Sequence, residues 1–300
     1  MMRKIGVLTS GGDAPGMNAA VMSIARSAAA YGMPLIGIKH GYNGLLRKST
    51  SIKDDLQELY LDTVLDIADQ PGTYLRTARC EEFKDPKWRE IAVQTLKAME
   101  IDGLVVIGGD GSFQGAMRLC ELGIPCIGIP GTIDNDLAYT EMTLGYETAV
   151  QVCTEAIRAI RATSRSHDRP HVVECMGRHC GDIALKAACA TGSEIVVVPE
   201  VPWSVEEVAS RLNKQIAKGN YRSTIVLAEE YAKEFDVPTG SIVPATLFHR
   251  LDEPRVRKIV DRWIDYLAIG IFNIVAVADP ECVLLGGGIC REQQLLPLVN

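Results

Sequence analysis

Ser10-Gly11-Gly12-Asp13-Ala14-Pro15-Gly16 and Gly108-Gly109-Asp110-Gly111-Ser112 are two glycine-rich turns of the kind that wrap a polyphosphate. Each follows a short apolar run, Ile5–Leu8 in one case and Gly103–Ile107 in the other, and each precedes a stretch with helical patterning. Backbone N–H groups and helix N-termini gathered at the carboxyl edge of one sheet make an anion site. Asp110 lies inside the second turn, where a carboxylate is useful if a divalent cation bridges it to phosphate oxygens. A third segment, Pro130-Gly131-Thr132-Ile133-Asp134-Asn135-Asp136, follows the strand-like Cys126–Ile129 and adds two carboxylates at that edge. Taken alone, D-x-D after Pro-Gly is a solvated loop or a helix cap. Beside two phosphate turns it offers a base: Asp134 can take the proton of a sugar hydroxyl while Thr132 orients the group in transit. Phosphates, a metal and a free base together point to phosphoryl transfer.

Cations are placed to match. Arg79 closes Gly72-Thr73-Tyr74-Leu75-Arg76-Thr77-Ala78-Arg79, a loop whose planar guanidinium suits nucleotide phosphates. Met176-Gly177-Arg178 follows the apolar run Val172–Cys175, where a glycine and a cation suit a phosphorylated sugar. His167, His171 and His179 share no metal-ligand spacing and read as loop or packing residues.

The elements that must hold these residues alternate. Strand candidates are Ile5–Leu8, Leu35–Ile38, Gly103–Ile107, Cys126–Ile129, Val172–Cys175, Ile195–Val198 and Thr224–Ala228. Between them run helical patterns over Asn18–Tyr31, Lys87–Met99, Tyr146–Thr163, Ile183–Thr191 and Ser204–Lys218. Short unalternating strands separated by helices predict parallel sheets covered on both faces. Ser204, with Glu206 and Glu207 behind it, predicts a capped helix start. From Glu253 to Asp279 the pattern is one long helix, with Trp263, Leu267, Ile271 and Ile274 on a stripe.

A chain of 300 residues with 47% hydrophobic content can build one large or two moderate cores. A net charge of −7 argues against a general nucleic-acid or membrane-surface binder. No apolar run reaches the length of a membrane span, and Met1-Met2-Arg3-Lys4 running into a strand does not read as a signal peptide. The nine cysteines form no C-x-x-C pair and read as buried small hydrophobes, which fits a reducing cytoplasm.

These motifs, in this order and spacing, resemble the bacterial ATP-dependent 6-phosphofructokinases over residues 1 to about 229. The resemblance rests on Ile5–Ala20, Gly72–Arg79, Gly108–Ser112, Pro130–Asp136, Arg161–Arg169, Glu174–Asp182 and Val196–Pro202. It implies two doubly wound α/β/α domains, an ATP/magnesium domain over 1–138 and a sugar-phosphate domain over 139–230. It implies that Gly12, Arg79, Cys80, Gly109, Gly111 and Ser112 contact ATP and that Asp110 holds Mg2+. Thr132, Asp134 and Asp136 would serve the sugar and the transfer, with Asp134 as proton acceptor and Arg178 assisting. Met176, Gly177, Arg178 and Glu229 would bind fructose 6-phosphate. Arg169 would reach a neighbouring subunit's sugar site, which implies a homo-oligomer, in this family a tetramer. ATP users carry glycine after the metal-binding aspartate and before T-I-D-N-D, whereas pyrophosphate users tend to carry aspartate and lysine. Gly111 and Gly131 are of the ATP type.

Two regions depart from the pattern. Of the family's two effector-site arginines on the first helix, Met22 replaces one and Arg26 stands at the other; Arg161, Glu194, Lys218 and Arg222 keep the later part of that site, and Asn220 replaces a lysine. After Glu229 the family's G-H-I-Q-R-G-G segment is missing. Val260–Gly270 and Asp279–Gly288 instead resemble the C-terminal region of ROK-type sugar kinases and repressors, so 231–300 reads as a separate segment, ROK-like over about 245–300. The alternatives to an ATP-dependent enzyme are a pyrophosphate-dependent sugar-phosphate kinase and a nucleotide-binding protein that has lost its sugar site.

Overall fold

The computed structural model describes residues 4–46, 55–138, 140–234 and 257. The chain divides into two compact units, Met1–Tyr231 and Ala232–Asn300. The ROK-like reading of 245–300 falls, Arg257 apart, outside the described residues.

A six-stranded sheet carries the order β3-β2-β1-β4-β5-β6. Its strands are β1 Ile5–Ser10, β2 Leu35–Ile38, β3 Leu56–Leu59, β4 Gly103–Gly108, β5 Cys126–Thr132 and β6 Leu144–Gly145. Along β1, Val7 and Leu8 are both buried but on opposite faces, as a strand's period of two requires. Val7 packs with Met17, Val21, Ala25 and Ala28 of helix α1 (Met17–Ala30). Leu8 packs with Ala92 and Leu96, and with Ala116 and Leu119, of helices Pro86–Ala98 and Asp110–Glu121. The result is a three-layer arrangement. Winding runs one way from β1 to β2 and the other way from β4 to β5, so the topological switch lies between β1 and β4.

A second sheet of three parallel strands has the order β7-β9-β8, with β7 His171–Cys175, β8 Ile195–Val197 and β9 Thr224–Ala228. Tyr146 and Ile157 of the helix Tyr146–His167, and Ile183 and Ala187 of the helix Asp182–Thr191, pack on Cys175, Val226 and Ala228. Helix Val205–Ala217 opens on a capping box: Ser204 Oγ accepts the Glu207 amide and Glu207 Oε2 accepts the Ser204 amide, both at 3.2 Å.

The expectation of purely parallel sheets fails at one place. β3 runs antiparallel to β2. Leu56-Gln57-Glu58-Leu59 has polar central residues and buried ends, the composition of a sheet edge rather than of a doubly covered strand. The helix predicted to stop at Thr163 continues to His167, where Asp168 turns left-handed at φ 48°. No helix among the described residues is long and apolar enough to cross a membrane.

Candidate active site

β1 and β4 pair in parallel with Ser10 opposite Gly108, so both glycine turns leave the sheet side by side at the switch point. The two turns interlock. Buried Ser112 donates from Oγ to the Ser10 carbonyl at 3.1 Å. A Cβ on Gly108 would lie 2.5 Å from Ser112 Oγ and 2.6 Å from the Ser10 oxygen, so only glycine permits this approach. Tyr42, stacked on Phe83 with centroids 4.1 Å apart, donates its hydroxyl to the Ser112 carbonyl at 2.6 Å.

The loop before Arg79 is sewn to the first turn. Thr77 Oγ1 donates to the Gly11 carbonyl (2.8 Å), Thr9 Oγ1 to the Arg76 carbonyl (3.0 Å), and Asn43 Nδ2 to the Arg79 carbonyl (3.1 Å). The Arg79 side chain stays exposed at the rim, and Cys80 follows it, half-buried. Added Cβ atoms on Gly12 and Gly111 would meet nothing within 4 Å, so the space over both turns is open. One on Gly131 would lie 3.0 Å from Ile107 and 3.1 Å from Met17, so packing already explains that glycine. Gly109 faces Thr132, with a hypothetical Cβ 3.7 Å from the threonine Cβ, which brings the third segment beside the second turn.

Asp110 is the exposed first residue of its helix, and Oδ2 accepts from Gln114 Nε2 at 2.7 Å. Among the described residues no three His, Cys, Asp or Glu side chains converge on a point. A single hard carboxylate beside an anion cradle fits Mg2+, which takes one or two carboxylates and completes its shell with phosphate oxygens and water.

Asp134 is 7% exposed, whereas Asp136 is exposed. Burial pushes the Asp134 carboxyl above its ordinary range; Arg178 counters this, Asp136 and Glu229 add to it as like charges, and Thr132 pulls it down by hydrogen bonding. Arg178 Nε lies 3.4 Å from Asp134 Oδ2. That arginine comes from the loop after β7, where Gly177 has φ 143° and Arg178 itself φ 51°. The Arg178 amide donates to Glu229 Oε2 at 3.0 Å, and the Gly181 amide donates to Glu200 Oε1 at 2.8 Å. Met176 stands 65% exposed at the mouth of this loop. The buried carboxylate from one sheet thus meets the cation from the other.

The remaining candidates lie elsewhere. Arg169 is exposed before β7, whereas Arg178 follows it, so the two lie beyond opposite ends of a five-residue strand about 16 Å long at ~3.3 Å per residue. At that amino edge Arg161 forms a bidentate pair with Glu194 (3.0 and 3.2 Å), and Glu194 also accepts the Thr224 amide at 2.7 Å. Burial alone would raise the Glu194 carboxyl, but these partners outweigh it and lower it. Arg222 Nε pairs with Asp168 Oδ1 at 2.6 Å, and Lys218 is exposed. Arg26 projects from α1, beside the other sheet. Sequence reasoning missed Thr9, Tyr42, Asn43, Thr77 and Glu200, whose single hydroxyls, amide and carboxyl carry no motif.

Comparison with known proteins bears on this arrangement. The family model described as Phosphofructokinase matches residues 4–262. The ATP-dependent 6-phosphofructokinase of Clostridioides difficile (strain 630) is 54% identical over 303 residues, covering 99% of this chain and 92% of that protein. Its counterpart from Alkaliphilus metalliredigens (strain QYMF) is 47% identical over 267 residues, 87% of this chain and 82% of that protein. Among solved structures, phosphofructokinase from Saccharomyces cerevisiae is similar at 36% identity and a TM-score of 0.68, and that of Pichia pastoris in the T-state at 35% and 0.70. Each match covers 76% of this chain but only 34% and 26% of the longer yeast chains. A pyrophosphate-dependent phosphofructokinase from Marinobacter aquaeolei shares the fold, at 22% identity and a TM-score of 0.64 over 76% of this chain and 61% of its own.

Proposed function

This chain belongs to the phosphofructokinase family, and we propose that it transfers the terminal phosphoryl group of ATP to fructose 6-phosphate, giving fructose 1,6-bisphosphate. The observation that carries the reading is buried Asp134 facing Arg178 beside two interlocked glycine turns. A sugar hydroxyl entering between those turns and the Arg178 loop would give its proton to an Asp134 carboxylate oxygen as it attacks phosphorus. The raised pKa of Asp134 makes it a better proton acceptor at neutral pH than a solvated aspartate. Arg178 favours the ionised carboxylate against the effect of burial and would offer positive charge to the phosphoryl group in transit. Gly12, Gly109, Gly111 and Ser112 would line the nucleotide phosphates, with Arg79 and Cys80 at the rim. Asp110 would hold Mg2+, which when bound neutralises charge on the phosphates. Met176, Gly177, Asp136 and Glu229 would line the sugar, and Arg169, at the far end of β7 from Arg178, would serve a neighbouring copy in a homo-oligomer.

The donor reading rests on Gly111 rather than Gly131, because only Gly111 has open space over it. Gly111→Asp should impair ATP use through crowding and repulsion of the phosphates; an unchanged KM for ATP would remove that argument. Reaction of the parent with pyrophosphate faster than with ATP would reverse the choice of donor. Arg161, Glu194, Lys218 and Arg222, with Arg26, form the proposed remnant of an effector site. Cys120, Cys126, Cys153, Cys175, Cys180 and Cys189 form no disulfide among the described residues, which suits a reducing cytoplasm.

Residues 245–300 carry the ROK-type expectation by sequence pattern alone, while the Clostridioides difficile relative aligns over 99% of the chain. If the ROK pattern governs, two or more of the family's phosphate-binding cations are gone. Each charge-assisted bond is worth roughly 1.5–3 kcal/mol, so sugar affinity should fall by about two orders of magnitude or more. Titrating fructose 6-phosphate at fixed magnesium-ATP tests this: the expected result is ATP binding with poor sugar saturation. Half-saturation at submillimolar sugar would return the tail to the phosphofructokinase pattern. ATP binding with no transfer at any sugar concentration would leave a nucleotide-binding protein without a sugar site.

A further inference from the structure

We propose that Asp182 is a positioning residue for phosphoryl transfer, acting through Asn135 on the neighbouring base Asp134; this deepens the phosphotransferase reading above and rests on it. Asn135 Nδ2 donates to Asp182 Oδ2 at 3.2 Å, joining residues 47 positions apart in sequence. One belongs to the loop after β5 in the large sheet. The other opens the helix Asp182–Thr191, directly after the loop that carries Arg178. The bond therefore ties the base's loop to the arginine's loop.

Asn135 adopts φ 52°, the left-handed conformation that asparagine tolerates and most side chains avoid. Its side chain pins that conformation from several sides. Asn135 Oδ1 accepts the Thr143 amide at 3.1 Å, and Nδ2 also reaches the Glu141 carbonyl at 3.4 Å. Thr143, 5% exposed, donates from Oγ1 to the Thr132 carbonyl at 2.6 Å. These contacts close the loop upon itself, and Asp182 supplies an anchor from outside it. Rotation of the backbone at Asn135 would swing the adjoining Asp134 out of its buried seat, and misplacement by about 1 Å can cost a reaction ~10²-fold.

The same two loops also meet through Asp134 and Arg178. That contact lies where the sugar hydroxyl and phosphoryl group must enter, so substrate disturbs it. The Asn135–Asp182 bond lies beside the reacting groups and can persist through the cycle. It keeps base and cation in register while their direct pairing is broken.

Asp182→Ala, Asn135→Asp and the swap Asn135→Asp/Asp182→Asn test this in the full chain. Asp182→Ala should lower kcat by ~10-fold or more with KM for ATP within about two-fold of the parent. Asn135→Asp sets carboxylate against carboxylate and should lose at least as much. The swap restores the bond with donor and acceptor exchanged, giving up the contact with Glu141 and the acid in the first turn of the helix Asp182–Thr191, and should recover most of the lost kcat. Amide hydrogen exchange at residues 134–136 in the unliganded chain should speed up ~10-fold in Asp182→Ala and slow again in the swap. Parental kcat in Asp182→Ala overturns the proposal. So does a kcat loss matched by an equal loss of ATP affinity and unrelieved by the swap. If the parent does not phosphorylate fructose 6-phosphate, the phosphotransferase reading fails, and unchanged exchange in Asp182→Ala would separately remove the tether.

Discussion

At the turns after β1 and β4, neutral hydroxyls meet backbone: Ser112 and Thr77 side chains donate to the Ser10 and Gly11 carbonyls, and Gly108 lets the strands' exits touch. The loop after β7 is held otherwise. Glu229 takes the Arg178 amide, Glu200 takes the Gly181 amide, and Asp182 takes the Asn135 side chain. One half of the site is a cradle of neutral donors and acceptors, and the other hangs from carboxylates. A hydrogen bond to a charged carboxylate is roughly twice as strong as one between neutral groups. Loss of one carboxylate should therefore loosen its half more than loss of one hydroxyl loosens the other.

The largest effect tests where the two halves meet. Asp134→Ser removes the proposed base and should cut turnover by ~10²–10⁴-fold while magnesium-ATP binding, measured by calorimetry, stays near parental. Turnover near that of the parent would detach chemistry from this junction.

Gly108→Ala strikes the cradle alone. Its Cβ would lie 2.5 Å from Ser112 Oγ, so the turns must part, at a cost of about 1–3 kcal/mol. A lower melting temperature and a raised KM for ATP should appear together, with KM for the sugar moving less. An equal rise in both KM values would deny that the halves are separately built.

Glu229→Gln strikes the carboxylate side and keeps an acceptor for the Arg178 amide. Glu229 raises the Asp134 pKa as a like charge, so its neutralisation should lower that pKa. The proposed base would work deprotonated, so activity should fall as pH drops through its pKa. The acid limb of kcat/KM should hence move to lower pH, alongside a few-fold rise in KM for the sugar. A stationary limb would uncouple the two residues.

The smallest effect concerns stability. A folded-state pKa raised above the unfolded value means that ionised Asp134 costs stability at neutral pH, a cost relieved as pH falls through the raised value. Asp134→Asn should melt slightly above the parent at pH 7, with the gap closing under acid in paired thermal melts.

Much of this architecture was legible in the chain. Leu35–Ile38 and Thr224–Ala228 are unbroken apolar runs, and the strands match them end to end. Such runs are readable because both faces of a covered parallel strand need apolar side chains, whatever the neighbours. Leu56–Leu59 was not readable as a strand, since Gln57 and Glu58 make it look like a loop until β2 offers it an edge. The glycine turns and T-I-D-N-D were equally plain, because a phosphate cradle constrains consecutive residues.

What escaped the sequence is everything set by distance across the fold. Gly111 and Gly131 read alike, yet one faces open space and the other packs against Ile107 and Met17. Asn135 and Asp182 carry no mutual signal across 47 positions until two sheets bring their loops together. Arg161 and Glu194 likewise read as separate matches to a motif, and only tertiary structure makes them one half-buried pair. Residue types and local spacing determined which chemistry was present, because backbone preference and phosphate geometry act over a few residues. Which carboxylate is buried, which cation faces it and which glycine is open were decided by packing, because those properties belong to neighbours the chain supplies from far away.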